Sequence, residues 1–324
     1  MNDLLERILR ESGTPNLLEI LVDSLNPSDL QSLLLEVYRR RASHLTPADV
    51  LAQYEHNRFV QPSTVDPLVT MELERLAFSL AAPPFQPIEL APLCPLGATS
   101  AIAAVDQNST IATIRNTELV SDSTNVLALE CAVRRRALLK SKNNLERVRL
   151  CASHRLLRAQ NYDRSDMVAH FRLFALVSAG RDEGAQQFEL VSLVEHLHFY
   201  IRFLSSLAER GYALRVLRVD LTDLARGLHH EGLRTSVMEP LAAEFPGIKF
   251  ILDPDRQAGR GYYENFCFGM YAKDSQGQDH NLVDGGFTNW TQQLLSNQKE
   301  RLLISGIGME RLCSLYYPKN LSEK

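Results

Sequence analysis

The first 80 residues show apolar positions at helical spacing, interrupted by proline, asparagine and serine. Apolar residues that recur every three to four positions between such punctuation predict amphipathic helices. The predicted helices cover residues 3–11, 17–25, 27–41, a segment that starts at Thr46-Pro47-Ala48-Asp49, and a longer one over 66–80. Residues 1–62 are therefore predicted to form a small helical N-terminal arm or domain.

The pattern changes after the prolines at 83 and 84, where short apolar runs alternate with helical segments. The predicted strands cover residues 85–93, 111–114, 118–120, 148–157, 170–178, 214–221, 249–252 and 262–271. The predicted helices between them cover residues 126–139, 189–208 and 233–244. Because most of these strands are joined as hairpins, residues 63–324 are predicted to form an α+β core with an antiparallel sheet flanked by helices.

A glycine-rich stretch follows near the C-terminal end of the chain. Gly285-Gly286 is predicted to form a turn, and an apolar run then leads into Gly306-Ile307-Gly308. This pattern is typical of a strand, a turn and a helix, with Arg311 in the first helical turn. Glycine permits close backbone approach to a ligand, and an arginine at a helix start suits a phosphate.

Composition narrows the functional classes. The chain has 324 residues, 45% of them hydrophobic and 23% charged, with a net charge of −4, so a strongly basic nucleic-acid-binding protein is excluded. Five scattered cysteines without a C-x-x-C pair argue against zinc and disulfides. The sequence shows no targeting segment or membrane-length apolar run, which predicts a cytoplasmic protein without a membrane partner.

Two basic runs and a histidine pair have simpler interpretations than a binding site. Residues 39–41 are three arginines interpreted as a solvated helix end that complements the helix dipole. Residues 134–136 are interpreted as a solvated helix end as well, because no aromatic residues are interleaved with them. His196 and His198 lack the i, i+4 spacing that places two imidazoles on one helix face. No metal site is predicted from them.

Four pieces occur in a distinctive order along the chain. They are the predicted strand ending at Pro92, then Ser121-Asp122-Ser123-Thr124, then Leu157-Arg158-Ala159-Gln160 with His170 to Phe174, and last Arg260-Gly261-Tyr262-Tyr263 with the two glycine motifs. This order, over about residues 65–315, resembles the catalytic core of class II aminoacyl-tRNA synthetases. It is most similar to the histidyl-tRNA synthetase branch and its paralogue, the regulatory subunit of ATP phosphoribosyltransferase.

The resemblance implies a role for each matching position. The implied ATP-binding residues are Arg158 on the α-phosphate, Gln160, Phe174 stacked on adenine, Gly306, Gly308, and Arg311 on the γ-phosphate, with Arg158 and Arg311 also catalytic. The implied substrate-binding residues are Asp122 and Thr124 at the α-amino group, Arg260, Tyr262, Tyr263, Gly285 and Gly286. Pro92 would lie at a homodimer interface, and ATP and Mg²⁺ would be the cofactors.

The sequence also departs from the family pattern. Gln160 stands where the family has a glutamate, so a carboxylate is lost while hydrogen bonding to adenine stays possible. Either Arg260 or Arg256 matches the substrate arginine of the histidyl branch. The short stretch after Arg311 leaves no room for a C-terminal anticodon-binding domain. Conventional tRNA charging is therefore not expected.

Three functions remain open from the sequence. The first is an ATP-dependent ligase that activates an amino or carboxylic acid as an adenylate and passes it to a protein, a carrier or another acceptor. The second is a non-catalytic regulatory or binding subunit, as in the phosphoribosyltransferase paralogue. The third is an RNA-binding module that uses the N-terminal helices.

Overall fold

An eight-stranded sheet forms the centre of the protein in a computed structural model, which describes residues 3–141, 143–159, 169–225 and 227–317. The strands are β1 (Gln86–Pro87), β2 (Leu93–Pro95), β3 (Thr117–Leu119), β4 (Val148–Leu157), β5 (His170–Arg181), β6 (Arg215–Asp223), β7 (Lys249–Leu252), β8 (Glu264–Lys273), β9 (Asp279–Thr288) and β10 (Glu300–Gly308). The sheet order is β1-β4-β5-β10-β9-β8-β6-β7, and β2 pairs separately with β3. Neighbours are antiparallel except at the two edges, where β1 with β4 and β6 with β7 are parallel. The predicted α+β class is confirmed.

Some of the helices flank this sheet on both faces, and others bury no residue. The helices are α1 (Asp3–Glu11), α2 (Leu17–Glu19), α3 (Pro27–Ala42), α4 (Pro47–His56), α5 (Pro67–Ala81), α6 (Ser123–Lys140), α7 (Gln187–Glu209), α8 (His230–Leu233), α9 (Glu239–Glu244), α10 (Trp290–Leu295) and α11 (Met309–Tyr316). Short π-helical turns extend α2 and join α8 to α9. In the part of the chain that the structure covers, no helix has the length and apolar character needed to cross a lipid bilayer.

The sheet separates two hydrophobic layers. On one face α5 and α7 bury Leu73, Ala77 and Phe199 against strand residues such as Phe174 and Phe268. On the other face α6 packs Leu127, Ala128 and Cys131 over β4 and β5. Alternation along each strand sends successive side chains to opposite layers, as a two-residue period requires.

The helices of residues 3–56 differ from the rest of the protein. Local capping is strong: Asn26 accepts a hydrogen bond from the Asp29 amide, and Thr46 and Asp49 form a reciprocal capping box. None of α1 to α4 contains a buried residue. Their apolar side chains, such as Val22 and Leu51, are exposed. These helices thus add no residue to the two hydrophobic layers.

Two predicted strands are wrong. Residues 85–93 were expected to form one strand ending at Pro92, but β1 covers only Gln86–Pro87, and Pro92 lies outside any strand. Proline has no amide hydrogen and cannot donate to a ladder, so prolines at 87 and 92 limit pairing there. Residues 111–114 contribute only an isolated bridge at Ala112.

The predicted Gly285-Gly286 turn is also wrong. Both glycines lie inside β9, where Gly285 pairs with Ser305 and Gly286 with Ile304. Space explains the glycines: a Cβ on Gly286 would lie 2.6 Å from the Tyr263 ring, and a Cβ on Gly285 would lie 2.6 Å from Ser305 Cβ. Glycine is required for packing at these positions.

The junction between β10 and α11 agrees closely with its prediction. β10 runs through Gly306 and ends at Gly308, which precedes α11, so both glycines belong to the strand and not to a separate turn. Arg311 lies in the first turn of α11, as predicted.

Candidate functional site

A cavity of about 510 Å³ lies beside the N-terminal end of α6, over the ends of β5, β9 and β10. Eight of the residues singled out from the sequence line it, and they come from four separate segments of the chain. They are Asp122, Thr124, Arg158, Tyr262, Tyr263, Gly306, Gly308 and Arg311. Residues 63–65, which connect the N-terminal helices to α5, line the cavity as well. The fold therefore gathers most of the predicted site.

Asp122 organises one wall of the cavity. It precedes α6, and its Oδ1 accepts hydrogen bonds from the Thr124 amide at 2.9 Å and the Thr124 hydroxyl at 2.8 Å, as an N-cap residue does. Its Oδ2 lies 3.3 Å from Nη2 of Arg158. Arg158 also donates to the Ser121 carbonyl at 3.0 Å. The two charged side chains are thus held in fixed orientations at the α6 end of the cavity.

A buried carboxylate supports the same wall from behind. Glu118 in β3 is fully buried and accepts hydrogen bonds from the amides of Gly97 and Thr99 and from the Gln107 side chain. Although burial opposes ionisation, these hydrogen bonds lower the pKa of Glu118. The Thr99 hydroxyl in turn lies 3.0 Å from that of Ser121. Glu118 thereby fixes the loop that carries Asp122.

Arg311 lies at the opposite end of the cavity. Its Nη1 donates to the Asn281 carbonyl at 2.9 Å, which holds the guanidinium against β9. The neighbouring Glu310 accepts a hydrogen bond of 2.6 Å from the Arg172 amide and lies 3.1 Å from Arg155. Arg158, which directly follows β4, and Arg311 in α11 therefore reach the same cavity from different parts of the chain.

The tyrosine pair forms the inner wall between these ends. Tyr262 and Tyr263 precede β8 and were predicted to lie within it; their ring centroids are 4.9 Å apart, and Tyr262 packs edge-on against Trp290. Burial, with further contributions from the nearby carboxylates of Asp122 and Asp284, raises the pKa of Tyr262, and burial and Asp284 do the same for Tyr263. Both phenols therefore remain neutral hydrogen-bond donors at physiological pH.

Asp284 is a cavity residue that the sequence reasoning missed. Its Oδ2 accepts a hydrogen bond of 2.7 Å from the Tyr263 hydroxyl, and its Oδ1 accepts one from Nη2 of Arg256. Strand alternation places it on the same face of β9 as Gly286, whose missing side chain leaves room for Tyr263. The signal was present in the sequence, because an acid directly precedes the glycine pair.

Phe174 contradicts its predicted role. Its side chain is fully buried between the rings of Phe78 and Phe199, on the α5 and α7 face, so it cannot stack on an adenine in the cavity. Successive side chains of β5 point to opposite faces of the sheet, and Phe171 and Leu173 are on the face that lines the cavity. The Arg158 guanidinium lies 5.1 Å from the Phe171 ring centroid.

Arg260 also lies away from its predicted position. Its guanidinium donates to the carbonyls of Arg256 and Pro254, within its own loop, and it does not line the cavity. Of the two arginines left open from the sequence, Arg256 is the one connected to the cavity, through Asp284.

The remaining predicted residues do not line the cavity or lie outside the residues that the structure describes. Gly285 faces the α7 layer, against Phe268, while Gly286 makes room for Tyr263. Pro92 is exposed, and the homodimer remains a prediction. Gln160 lies outside the described residues. His196 is buried in α7 and His198 pairs with Glu244, in agreement with their interpretation as packing and surface residues.

The described residues do not form an evident metal site. Within residues 3–141, 143–159, 169–225 and 227–317, no group of three or more histidine, cysteine, aspartate or glutamate side chains is arranged to hold an ion. Three carboxylates among the described residues line the cavity, those of Asp122, Asp284 and Glu310, and each already has an arginine partner.

Comparison with known proteins identifies the fold. No protein-family model and no curated protein sequence matches the chain. Among solved structures, apo histidyl-tRNA synthetase from S. aureus matches with a TM-score of 0.54 and 15% identity, over 75% of this chain and 63% of that one. An ATP phosphoribosyltransferase regulatory subunit/histidyl-tRNA synthetase from Bacillus halodurans C matches with a TM-score of 0.56 and 12% identity, over 79% and 82%.

A third match is a threonyl-tRNA synthetase structure from Cryptosporidium parvum Iowa II, with a TM-score of 0.53 and 12% identity over 76% of this chain and 62% of that one. The chain thus spans less than two thirds of the length of the S. aureus histidyl and C. parvum threonyl structures. Together these similarities show that the chain has a class II aminoacyl-tRNA synthetase-like fold.

Proposed function

We propose, from this class II aminoacyl-tRNA synthetase-like fold and its cavity, that the protein binds ATP and an amino acid and joins them as an aminoacyl-adenylate. The observation that carries the proposal is the convergence of Arg158 and Arg311, from distant parts of the sequence, with Asp122 and the tyrosine pair on one cavity. The acceptor of the acyl group would be a carrier, a protein or an RNA other than a conventionally read tRNA.

The proposed chemistry needs positioning and charge stabilisation more than covalent participation by the protein. A carboxylate oxygen of the substrate attacks the α-phosphorus, and the bond to the leaving pyrophosphate breaks. Arg158 would stabilise charge on the α-phosphoryl oxygens, and Arg311 would stabilise charge on the leaving group. Asp122 would hold the α-ammonium of the amino acid, and Phe171 offers the aromatic wall that Phe174 cannot provide.

Among the described residues, the cavity wall offers no dedicated protein site for Mg²⁺. The three carboxylates of the cavity wall are all engaged by arginines, so they do not form a free ligand set. Mg²⁺ commonly keeps several waters and binds through substrate phosphates with one or two carboxylates. Any Mg²⁺ would therefore be held mainly by the ATP phosphates.

A non-catalytic binding subunit is the second candidate. Arg158 is held by both Asp122 and the Ser121 carbonyl, so its engagement of a phosphate would compete with a contact that already exists. The similar structure from Bacillus halodurans C is that of an ATP phosphoribosyltransferase regulatory subunit/histidyl-tRNA synthetase. In this case the cavity would bind an amino acid or a nucleotide without joining them.

The test is ATP–pyrophosphate exchange across the standard amino acids, with wild-type protein and the variants Arg158→Ala and Arg311→Ala. We expect exchange that depends on one class of amino acid and falls by at least about 100-fold in either variant, as for loss of a group that stabilises transition-state charge. Arg149→Ala is the matched control, because Arg149 lies in β4, the strand that Arg158 directly follows, but it pairs with Glu195 and does not line the cavity.

Absence of exchange in folded protein with every amino acid would reject the ligase. Thermal stabilisation by ATP·Mg²⁺ or by an amino acid under those conditions would support the binding subunit, because a ligand that binds only the folded state raises its stability.

A further inference from the structure

The cavity wall near the tyrosine pair contains more carboxylate groups than an ordinary α-amino acid requires. Asp284 accepts a hydrogen bond from Tyr263, and both Asp122 and Asp284 lie close enough to Tyr262 to raise its pKa after the larger effect of its burial. One carboxylate is sufficient for an α-ammonium group. The second carboxylate has no assigned role in the proposed reaction.

The ion pair at Asp284 presents its acid to the cavity. The side chain of Asp284 is 45% exposed, whereas that of its partner Arg256 is 5% exposed. Arg256 is further held by the Ala258 carbonyl at 2.9 Å and lies behind Tyr263 and Gly259. A ligand that enters the cavity therefore meets the carboxylate and has no path to the guanidinium.

Tyr263 fixes the direction of this carboxylate. Its hydroxyl donates to Asp284 Oδ2 at 2.7 Å, and the guanidinium of Arg256 donates to Oδ1. An ionised carboxylate has about four lone-pair positions, so these two bonds leave acceptor capacity on the open side. A neutral apolar ligand group placed there would remove water from the carboxylate without replacing its hydrogen bonds, which is unfavourable.

A polar side chain on the α6 wall of the cavity lacks a hydrogen-bond partner among the described residues. Asn125 in the first turn of α6 lines the cavity and is only 2% exposed. Neither its Oδ1 nor its Nδ2 has a hydrogen-bond partner among the described residues. Buried amides are normally hydrogen-bonded, so an unpartnered one on a cavity wall indicates that the ligand supplies polar groups there.

We infer that the amino acid bound in this cavity carries a second, side-chain ammonium group, as in an α,ω-diamino acid, and that Asp284 is the residue that selects it. This inference rests on the proposed function, in that the cavity binds an amino acid at all. Asp122 then takes the α-ammonium and Asp284 takes the side-chain ammonium. The buried Arg256 and the Tyr263 hydroxyl position Asp284 and do not touch the ligand.

Binding of paired ligands tests the inference without requiring catalysis. Isothermal titration calorimetry would compare L-lysine and L-ornithine with L-norleucine, which keeps the hydrocarbon chain and lacks the side-chain ammonium. We expect lysine or ornithine to bind roughly 10- to 100-fold more tightly than norleucine, the range for a charge-assisted hydrogen bond. Asp284→Asn should remove most of this difference.

Asp279→Asn is the matched control. Asp279 lies on the same strand β9 and pairs with an arginine, Arg218, but it does not line the cavity. This variant should keep the wild-type preference for the diamino acid. Should Asp284→Asn fail to fold, the comparison of lysine and ornithine with norleucine on the wild-type protein still tests whether the cavity selects a side-chain ammonium group.

The outcomes separate this inference from the proposed function. Tighter binding of norleucine, of an acidic amino acid or of L-histidine than of the diamino acids would overturn the inference, even if that ligand supported pyrophosphate exchange. Preference for a diamino acid that survives in Asp284→Asn would overturn the role of Asp284. Selective binding of a diamino acid without exchange would support the inference and reject the ligase.

Discussion

His196 in α7 lies between two serines from different strands. Its ring nitrogens lie 3.0 Å from the Ser178 hydroxyl in β5 and 2.7 Å from the Ser305 hydroxyl in β10, and Ser305 also contacts the Tyr200 hydroxyl. A neutral imidazole has one donor and one acceptor, which two hydroxyls can satisfy. Burial, with a smaller effect from Arg149, lowers the pKa of His196 from 6.5 to about 3. The folded protein thus holds this ring neutral.

Folding stability should therefore depend on pH through His196. The unfolded chain takes up a proton at this histidine as pH falls below about 6.5, whereas the folded chain does not, so acid favours unfolding. Between pH 7.5 and pH 5 we expect a loss of about 2 kcal/mol from this residue, and none above pH 7.5. Urea unfolding of the wild-type protein and of His196→Asn at several pH values measures this loss of unfolding free energy.

His198→Asn is the control for this experiment, since His198 lies on the same helix but pairs with Glu244 at the surface. A pH dependence in His196→Asn as steep as in wild type would show that other groups cause the acid sensitivity.

Some residues of the site were identifiable from local sequence and others were not. Asp122, Thr124 and Arg311 flank helix starts, where a short motif determines the geometry. The role predicted for Phe174 depended on which face of the strand each residue occupies. An error of one residue moves a side chain to the other face. Phe171 and Phe174 are both apolar, so hydrophobicity could not distinguish the cavity face from the core.

At the scale of elements, one ion pair fixes α6 against the start of β10. Arg135 and Glu300 are both fully buried, with Nε–Oε2 at 2.8 Å, and Arg135 also donates to the carbonyls of Asn144 and Glu146. The same helix carries Asp122 at its N-terminal end, and the same strand leads to Gly308. The ion pair therefore positions two elements that shape the cavity.

Removal of one member of this pair should be costly. Glu300→Ala leaves a buried guanidinium without its carboxylate, and we expect a loss of about 3–5 kcal/mol in the free energy of unfolding. Glu130→Ala should cost at most about 1 kcal/mol, because Glu130 and its partner Arg134 are 39% and 31% exposed. Chemical denaturation of both variants gives the comparison. Equal losses in the two variants would show that burial does not determine how much each ion pair contributes to stability.

Long elements were more predictable than short ones. The predicted boundaries of β4, α6 and α7 agree closely with the structure, because each has enough periodic positions to define its face. β1 and β2 have only two or three residues and depend on neighbours for their pairing. The sheet order also could not be read from the sequence, since β10 pairs between β5 and β9.

At the scale of the whole molecule, the N-terminal helices and the sheet differ in how they are stabilised. Helices α1 to α4 bury no residue, whereas α5 buries Val69, Thr70, Leu73, Ala77 and Ala81. Connecting residues 63–65 reach the cavity, and the Gln61 carbonyl lies 2.6 Å from Nε2 of His170. The cooperative core therefore begins after the fourth helix.

Truncation tests this boundary. Removal of residues 1–57 should shift the melting temperature by less than about 4 °C, because no buried side chain is lost. A second truncation through residue 81 removes α5 and should abolish the cooperative transition, since Leu73 and Ala77 belong to the main core. Differential scanning calorimetry reports both. Loss of the transition in the shorter truncation would show that α1 to α4 contribute to the core after all.

The sequence by itself determined the classes and extents of the longer elements, the N-terminal caps of α4 and α6, and the set of charged and aromatic residues that resembles a synthetase site. These features depend on neighbours within a few positions, where periodicity and capping chemistry act. Only the tertiary structure decided that Gly285 and Gly286 lie in a strand, that Phe171 and not Phe174 faces the cavity, and that Asp284 is supported by Arg256. Those outcomes depend on space and on partners from distant segments, which local pattern does not contain.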